Sequence, residues 1–372
     1  MIDDLGFIET LVVGGGVVGL ACAARLAEKG FDTMLLERNR QLADETSSRN
    51  SGVIHSGIYY PTDSLKASLC VQGKYLLYEY CKAYNVPFKQ TGKFIVTSRP
   101  EEAEGLNNLL ALGQANGVEG LVHVGQSQIS DSEPEIVSPL GIYSPSSGIL
   151  DVPQLAVSLS GQVETNGCQI ALGVCAKQIF VEGKYLAVFA ESREGEKFKL
   201  RCKFLINAAG HGALDLHQSL TGETKLQKLP FAKGNYFKVH AGKGCIKTLV
   251  YPLPEPGGLG THLTVDMGGE LKIGPNVEMV RQFDHQVNLD AQSQMVESVS
   301  KFWPQIKNKD ISPDYAGIRP KIYGTGGQQI EDFMFKHTSF EEAQIVSLLG
   351  IESPGVTCCL SIARHVADMI SA

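Results

Sequence analysis

The sequence contains no block of lysine and arginine. Its 33 basic residues face 40 acidic ones for a net charge of -7, so it lacks the positive footprint of a nucleic-acid binder, and no nucleic-acid partner is expected. Nine cysteines include no Cys-x-x-Cys pair. Most of these thiols sit in apolar runs where they pack as small hydrophobes, and a reducing, cytoplasmic compartment is expected. There is no His-Glu-x-x-His, no paired Cys-His cluster and no acidic calcium loop, so no metal is expected. The longest early uncharged run, Thr10 to Ala24, has 15 residues and is broken by glycines, short of the roughly 18 that suggest a membrane span. Peripheral contact with the inner membrane is left open by this criterion. The first ten residues carry Asp3, Asp4 and Glu9 where a secretory signal needs positive charge, so secretion is not expected.

What the sequence has in excess is glycine, 40 of 372 residues, about 11% against an average near 7%. These glycines follow no Gly-X-Y period and no tandem repeat, which removes collagen-like, solenoid and low-complexity architectures. With 43% hydrophobic and 20% charged residues, the composition is that of a folded protein. The length is more than twice the roughly 150 residues that serve as a prior for one domain, so two domains or one large enzyme fold is expected.

Leu11-Val12-Val13 runs into Gly14-Gly15-Gly16-Val17-Val18-Gly19, a helix is predicted over Leu20 to Lys29 with Gly30 at its stop, and Asp32 to Glu37 reads as a second strand. This is a βαβ unit, whose crossover implies a parallel sheet. Gln41 to Pro61 reads as a polar loop rich in serine and glycine, followed by a helix from Lys66 to Tyr84. From Pro87 the texture turns to alternation, as in Lys93 to Thr97, Tyr236 to His240 and His262 to Val265, which suits a mixed or antiparallel sheet. Lys203 to Gly210 returns to a buried-strand pattern, and Gly350 to Thr357 opens a helix from Cys358 to Ile370. The fold class is α/β, α+β overall: a Rossmann-like dinucleotide domain over 1–85, 141–215 and 326–372, with a substrate domain of mixed or antiparallel sheet over 86–140 and 216–325.

Gly14-x-Gly16-x-x-Gly19 follows a strand and opens a helix, and Glu37 follows at the spacing of the dinucleotide fingerprint. Gly14 permits the tight turn, Gly16 lets the backbone reach a pyrophosphate and Gly19 allows close helix packing. The pyrophosphate would sit at the helix N-terminus, with Glu37 accepting from ribose hydroxyls. That carboxylate disfavours a 2′-phosphate, although Arg38 beside it could offset the repulsion. The fingerprint alone does not separate NAD from FAD. Thr46 to Pro61 then crowds hydroxyls, an amide, glycines and His55 into one loop, a surface suited to a cofactor with many polar atoms.

Across nearly the whole chain the sequence resembles the FAD-dependent oxidoreductases of the D-amino-acid-oxidase type, and within them the L-2-hydroxyglutarate dehydrogenase/oxidase branch. The resemblance rests on the fingerprint, Asn50-Ser51-Gly52-Val53-Ile54-His55-Ser56-Gly57-Ile58-Tyr59-Tyr60-Pro61, Ser64 to Ala67, Thr91 to Lys93, Pro145 to Asp151, Asn207-Ala208-Ala209-Gly210, Gly317-Ile318-Arg319-Pro320 and Gly350 to Gly355. It implies oxidation of L-2-hydroxyglutarate to 2-oxoglutarate by hydride transfer to FAD, with electrons passed to a quinone or other acceptor. Gly14, Gly16, Val17, Val18, Gly19, Glu37, Arg38, Ser47, Ser48, Asn50, Ser51, Gly52, Val53, Ala208, Gly210, Gly350, Glu352, Ser353, Pro354, Gly355, Val356 and Thr357 are the candidate cofactor residues. The helix start near Val356 could stabilise negative charge on the flavin.

Removing a hydride from C2 requires a base for the hydroxyl proton, and histidine is the natural candidate. His262 and His55 both qualify. A dicarboxylate needs two cationic anchors; Arg319 in a rigid turn suits a bidentate grip on one carboxylate, while Lys66, Lys93, Lys233 or the hydroxyls of Tyr59, Tyr60 and Tyr236 are candidates for the other. Lys233-Gly234-Asn235-Tyr236 departs from the family pattern, in which arginine precedes the glycine and an acid follows. Related amine dehydrogenases attach flavin covalently through a histidine in a comparable loop, which His55 could do. Sarcosine-oxidase-like relatives use a cysteine ahead of the C-terminal motif, and Asp332 to His337 contains none, so non-covalent FAD is expected. Cys358 and Cys359 read as packing residues. An amine or amino-acid oxidase on the same fold, and a non-catalytic flavin-binding subunit, are the competing functions. The sequence does not give the oligomeric state.

Overall fold

The computed structural model describes residues 2–242, 244–254 and 260–371. The chain divides into two compact units: Met1–Ser48, Val152–Leu229 and Pro320–Ala372 form the first, and Arg49–Asp151 with Pro230–Arg319 the second.

The first unit is built on a sheet whose parallel core has the order Gln169–Leu172, Thr33–Glu37, Ile2–Val13, Lys197–Asn207, Ala343–Leu349. In chain order this is 3-2-1-4-5, the doubly wound arrangement, and the strand order reverses beside Ile2–Val13. Val17–Glu28 is the first crossover helix. Its apolar positions Val17, Leu20, Ala21 and Leu26 are buried, and it packs against the helices Gly355–Ser371 and Val152–Thr165. Leu11, Val13, Leu36, Leu205 and Ile345 form the core beneath the sheet. Tyr185–Ser192 and Val174–Glu182 extend the sheet in antiparallel fashion.

The second unit carries a nine-stranded sheet that includes Phe231–His240, Asp310–Arg319, Leu249–Pro252, Lys93–Val96 and Leu140–Ser144. It is antiparallel except where Leu249–Pro252 runs parallel to Lys93–Val96, so it is mixed, as the alternating segments suggest. Its core centres on Trp303, Phe237, Leu249, Val250 and Tyr251, covered by Met295 and Val299 of the helix Ala291–Ser300.

The unit boundaries differ from the sequence-based ones, and specific contacts explain why. Residues 49–85 belong with the second unit. Gly52 O accepts from Leu150 N at 2.9 Å, and Tyr78 Oη donates to Ser146 O at 3.1 Å. Leu140–Ser144 pairs with Lys93–Val96, which carries 141–151 along with it. Conversely, Leu226–Gln227 pairs with Ile322–Gly324, which ties 216–229 and 320–325 to the first unit.

Candidate active site

In the first unit, the turn Gly14-Gly15-Gly16 leads from the central strand directly into the helix Val17–Glu28. A Cβ on Gly19 would lie 1.9 Å from Gly14 O, and one on Gly14, whose φ is +111°, would lie 2.4 Å from Ala208 O. Strand, turn and helix therefore close on one another only without side chains at these positions. Gly15 is constrained less strictly, since its Cβ would lie 2.6 Å from the Cδ2 end of the Leu42 side chain, a position the fingerprint does not announce. Gly16 is the N-cap and contributes no side chain; Ser47 Oγ accepts from Val17 N at 3.1 Å and so adds a hydroxyl to the open helix start, as expected of an anion site. Val17 is buried and Val18 half-buried behind it.

Glu37 ends its strand almost fully buried. Its carboxylate accepts from Gly15 N at 2.6 Å and from Asn39 N at 2.8 Å. A carboxylate offers about four lone-pair sites, so capacity remains for ribose hydroxyls. Arg38 is engaged elsewhere: its Nε donates to Glu45 at 2.7 Å, the carboxylate is gripped by both nitrogens of the fork, and this pairing raises the guanidinium's already high pKa. It is thus committed to Glu45 rather than positioned as a free counter-charge for a 2′-phosphate. Ser48 Oγ donates to the carbonyls of Asp44 and Glu45 and caps that turn. Lys197–Asn207 ends beside the glycine turn, where Ala208 N donates to Val13 O at 2.9 Å and Gly210 takes φ +54°.

The C-terminal motif follows Ala343–Leu349. Gly350 turns with φ +69°, and the helix starts at Gly355, three residues ahead of the expected Cys358. Glu352 Oε1 accepts from Lys321 Nζ at 2.9 Å, with both side chains about nine-tenths buried, so this carboxylate has a partner within its own unit. Ser353 is exposed, Pro354 and Thr357 are buried, and Val356 is half-buried. Cys358 and Cys359 are fully buried in the helix packing.

The second unit gathers the substrate-side candidates. Asn50 Oδ1 accepts from Gly52 N at 2.8 Å, and Asn50 O accepts from Tyr315 Oη at 2.6 Å. Gly317 lies against this segment so closely that a Cβ would stand 2.4 Å from Arg49 O. Val53 and Ile54 then pair with Ile149 and Gly148, which delivers His55 and Tyr59 on a fixed backbone. The helix Leu65–Ala83, capped by Ser64 Oγ on Ala67 N at 3.1 Å, follows. Its Cys70 Sγ donates to His55 O at 3.5 Å. Lys66, nearly fully buried, lies one turn before Cys70 on the same face.

Lys93 is wholly buried. Its Nζ stands 4.7 Å from the ring centroids of both Tyr59 and Tyr251. Tyr251, which the sequence reading passed over, stacks on His262 with centroids 3.5 Å apart and planes 9° from parallel. Burial pushes the Lys93 amine down to about 7, with Cys70 acting in the opposite direction. Burial, and then the charge of Lys93, pushes His55 down to about 3, so its imidazole is neutral and, in this environment, weakly basic. Burial raises Tyr59 and Tyr251, each helped by a neighbouring tyrosine. Tyr236 shares a hydrogen bond with Ser51, stacks on Tyr315 at 4.5 Å and feels the charge of Arg319, which is half-buried at the end of Asp310–Arg319. The hydroxyls of Tyr59, Tyr251 and Ser56 and the Lys93 ammonium are buried with no hydrogen-bond partner among the described residues. Such groups are costly to enclose and mark a place where a ligand completes the network.

Lys233, buried on Phe231–His240, is paired with Asp284 at 3.2 Å. The Tyr60 carbonyl accepts from Asn116 Nδ2 at 2.7 Å, and Lys66 is buried on the helix Leu65–Ala83. Nothing in the sequence singles out Tyr251, because Leu249-Val250-Tyr251-Pro252 reads as an ordinary core strand. Among the described residues no group of His, Cys, Asp and Glu could hold a metal.

A family model described as FAD dependent oxidoreductase, of the DAO type, matches residues 9–369. The chain belongs to that family. The flavoprotein is 35% identical to the mitochondrial L-2-hydroxyglutarate dehydrogenase of Arabidopsis thaliana, over 97% of this chain and 83% of the relative. It is 29% identical to the L-2-hydroxyglutarate dehydrogenase of Indibacter alkaliphilus, over 97% and 98%. Among solved structures it superimposes on FAD-bound L-alpha-glycerophosphate oxidase from Mycoplasma pneumoniae with a TM-score of 0.85 at 24% identity, covering 98% of this chain and 95% of the other; at that identity the likeness speaks to the fold. FAD is the family's cofactor, and the side-chain-free cradle at Gly14 and Gly19, the open helix start and the oriented Glu37 fit its dinucleotide.

Proposed function

We propose that this flavoprotein oxidises L-2-hydroxyglutarate to 2-oxoglutarate, acting on the CH–OH group. Its relatives at 29–35% identity carry that activity in their names and align over nearly the whole chain. The observation that carries the reading in this chain's own residues is the buried set of Lys93, Tyr59, Tyr251, His262 and His55, in the same unit as Arg319. It supplies what a 2-hydroxy dicarboxylate requires: two cations, neutral imidazole and a dry aromatic wall.

Bound FAD supplies the two-electron acceptor for the hydride leaving C2. The remaining work falls to the protein. Arg319 grips one carboxylate through its planar fork and fixes the orientation of the reacting carbon. The hydroxyl proton goes to one of two imidazoles, His55 or His262. Tyr251 holds the His262 ring flat against its own face, which sets the direction of that imidazole's nitrogens. The helix start near Val356 offers backbone N–H to developing negative charge, the Gly355 N–H being taken by Glu352 O. Gly350, Glu352 and Ser353 to Thr357, with Ser47, Ser48, Ala208 and Gly210, complete the first unit's cofactor surface in this reading.

FAD is held without a covalent bond in this reading, because Asp332 to His337 offers no cysteine ahead of the C-terminal motif. Acid precipitation therefore leaves a colourless pellet and a yellow supernatant; a yellow pellet contradicts this. Electrons leave to a quinone or another acceptor, and the compartment is the cytoplasm, with peripheral contact at the inner membrane where a quinone serves. Among the described residues no helix is long and apolar enough to cross a membrane. The function is tested by mixing the holoenzyme anaerobically with a panel of 2-hydroxy acids, amino acids and amines. Loss of flavin colour with L-2-hydroxyglutarate is expected; bleaching by amines alone would move the protein to the amine-oxidase reading.

A further inference from the structure

Among the described residues of the second unit, four lysines are buried: Lys66, Lys74, Lys93 and Lys233. Lys74 donates to Ser146 Oγ at 3.1 Å, and Lys233 pairs with Asp284. Lys93 differs from both. Its ammonium has no hydrogen-bond partner among the described residues and is met on two sides by the faces of Tyr59 and Tyr251. Ring faces attract a cation and keep its hydrogens unspent, but they do not replace an anion in a site closed to water. The ammonium is thus presented with its donors unused.

Lys93 Nζ lies over the Tyr251 ring, and His262 stacks on the same residue, while the charge of Arg319 acts on Tyr236. The two cations, Lys93 and Arg319, differ in what they can fix. A planar fork sets both position and plane of a carboxylate, which the reacting end needs for hydride transfer, whereas an ammonium is a point charge that sets position alone. We propose that Lys93, held between Tyr59 and Tyr251, binds the substrate carboxylate remote from the reacting carbon and so selects 2-hydroxy dicarboxylates over 2-hydroxy monocarboxylates. This rests on the 2-hydroxy-acid reading above. The depressed basicity of Lys93 agrees with it, because an incoming carboxylate restores the charged form that burial disfavours. The titratable groups facing Lys93 are His55, Tyr59, Cys70 and Tyr251.

The test compares L-2-hydroxyglutarate with L-2-hydroxyvalerate, which has a methyl in place of the remote carboxylate. In Lys93→Met holoenzyme, kcat/KM for L-2-hydroxyglutarate should fall at least ~100-fold, mainly through KM, while that for L-2-hydroxyvalerate stays within about threefold. An equal loss on both acids places Lys93 at the reacting end and overturns the proposal, as does no loss on either. A measurement on the unaltered enzyme covers a variant that fails to fold. Glutarate, detected by its perturbation of the flavin spectrum, should bind at least ~10-fold tighter than valerate and lose that advantage above pH ~7. Equal binding of the two overturns the anchor. A wild-type enzyme that oxidises neither hydroxy acid refutes the functional reading instead, so the two failures are distinguishable.

Discussion

Lys93 gives the sharpest prediction at the scale of the residue. Only its charged form holds a carboxylate, and burial lowers the free enzyme's amine to about 7, so kcat/KM for the dicarboxylate should decline as pH rises through that value. The decline should be absent in Lys93→Met; an unchanged alkaline limb in the variant would assign it to another group. The two imidazoles are separated by turnover. Replacing the true base, His262→Asn or His55→Asn, should lower kcat about 100-fold or more with the flavin spectrum unchanged, while the other replacement costs less than about tenfold. His55, His262 and Arg319 can be nominated from the sequence because histidine and arginine announce their chemistry wherever they stand. Tyr251 is not. Its role depends on a ring face that meets His262 and Lys93 only after Leu249–Pro252 is laid beside Lys93–Val96, and no local pattern encodes that pairing. The commitment of Arg38 to Glu45 is equally invisible, being a choice of partner seven residues away.

At the scale of the element, the glycine turn is the most legible feature, because backbone clashes fix its composition. Gly19→Ala would place a methyl 1.9 Å from Gly14 O, so the turn or the helix must shift. The purified variant should be colourless, with FAD affinity reduced at least ~100-fold when apoprotein is titrated with FAD; full retention of FAD would contradict the close packing. The strand feeding this turn was less legible. Leu11 to Val13 announces itself by apolar residues, yet the strand begins at Ile2. Its first half pairs with Lys197–Arg201 at an exposed part of the sheet, where charged Asp3 and Asp4 are tolerated and the hydrophobic signal vanishes. The helix over Leu65–Ala83 emerged within a residue of expectation, since Ser64 is a strong N-cap. Gly355–Ser371 starts earlier than expected because residues after Pro354 already take helical hydrogen bonds, with Cys358 N donating to Pro354 O.

At the scale of the molecule, the sequence conveyed two units and a chain that alternates between them, while the crossing points eluded it. Residues 49–85 follow the dinucleotide motif directly, and proximity in sequence suggested a common domain. Their hydrogen bonds instead run to residues 146–150 of the second unit. The second unit depends on Trp303, the chain's single tryptophan, which is fully buried and donates through Nε1 to Glu135 at 2.8 Å. Trp303→Ala should cost about 3–5 kcal/mol, read as a lower denaturation midpoint; a midpoint equal to wild type would show that this core does not govern unfolding. The central claim is that Arg319, Lys93 and the buried imidazoles act on a 2-hydroxy dicarboxylate. The most direct measurement is anaerobic reduction of the holoenzyme by L-2-hydroxyglutarate beside its D enantiomer, glycine and sarcosine. Rapid bleaching by L-2-hydroxyglutarate alone, with one equivalent of 2-oxoglutarate formed per flavin, is the predicted result; an oxidised spectrum that persists with L-2-hydroxyglutarate while an amine bleaches it would contradict the account.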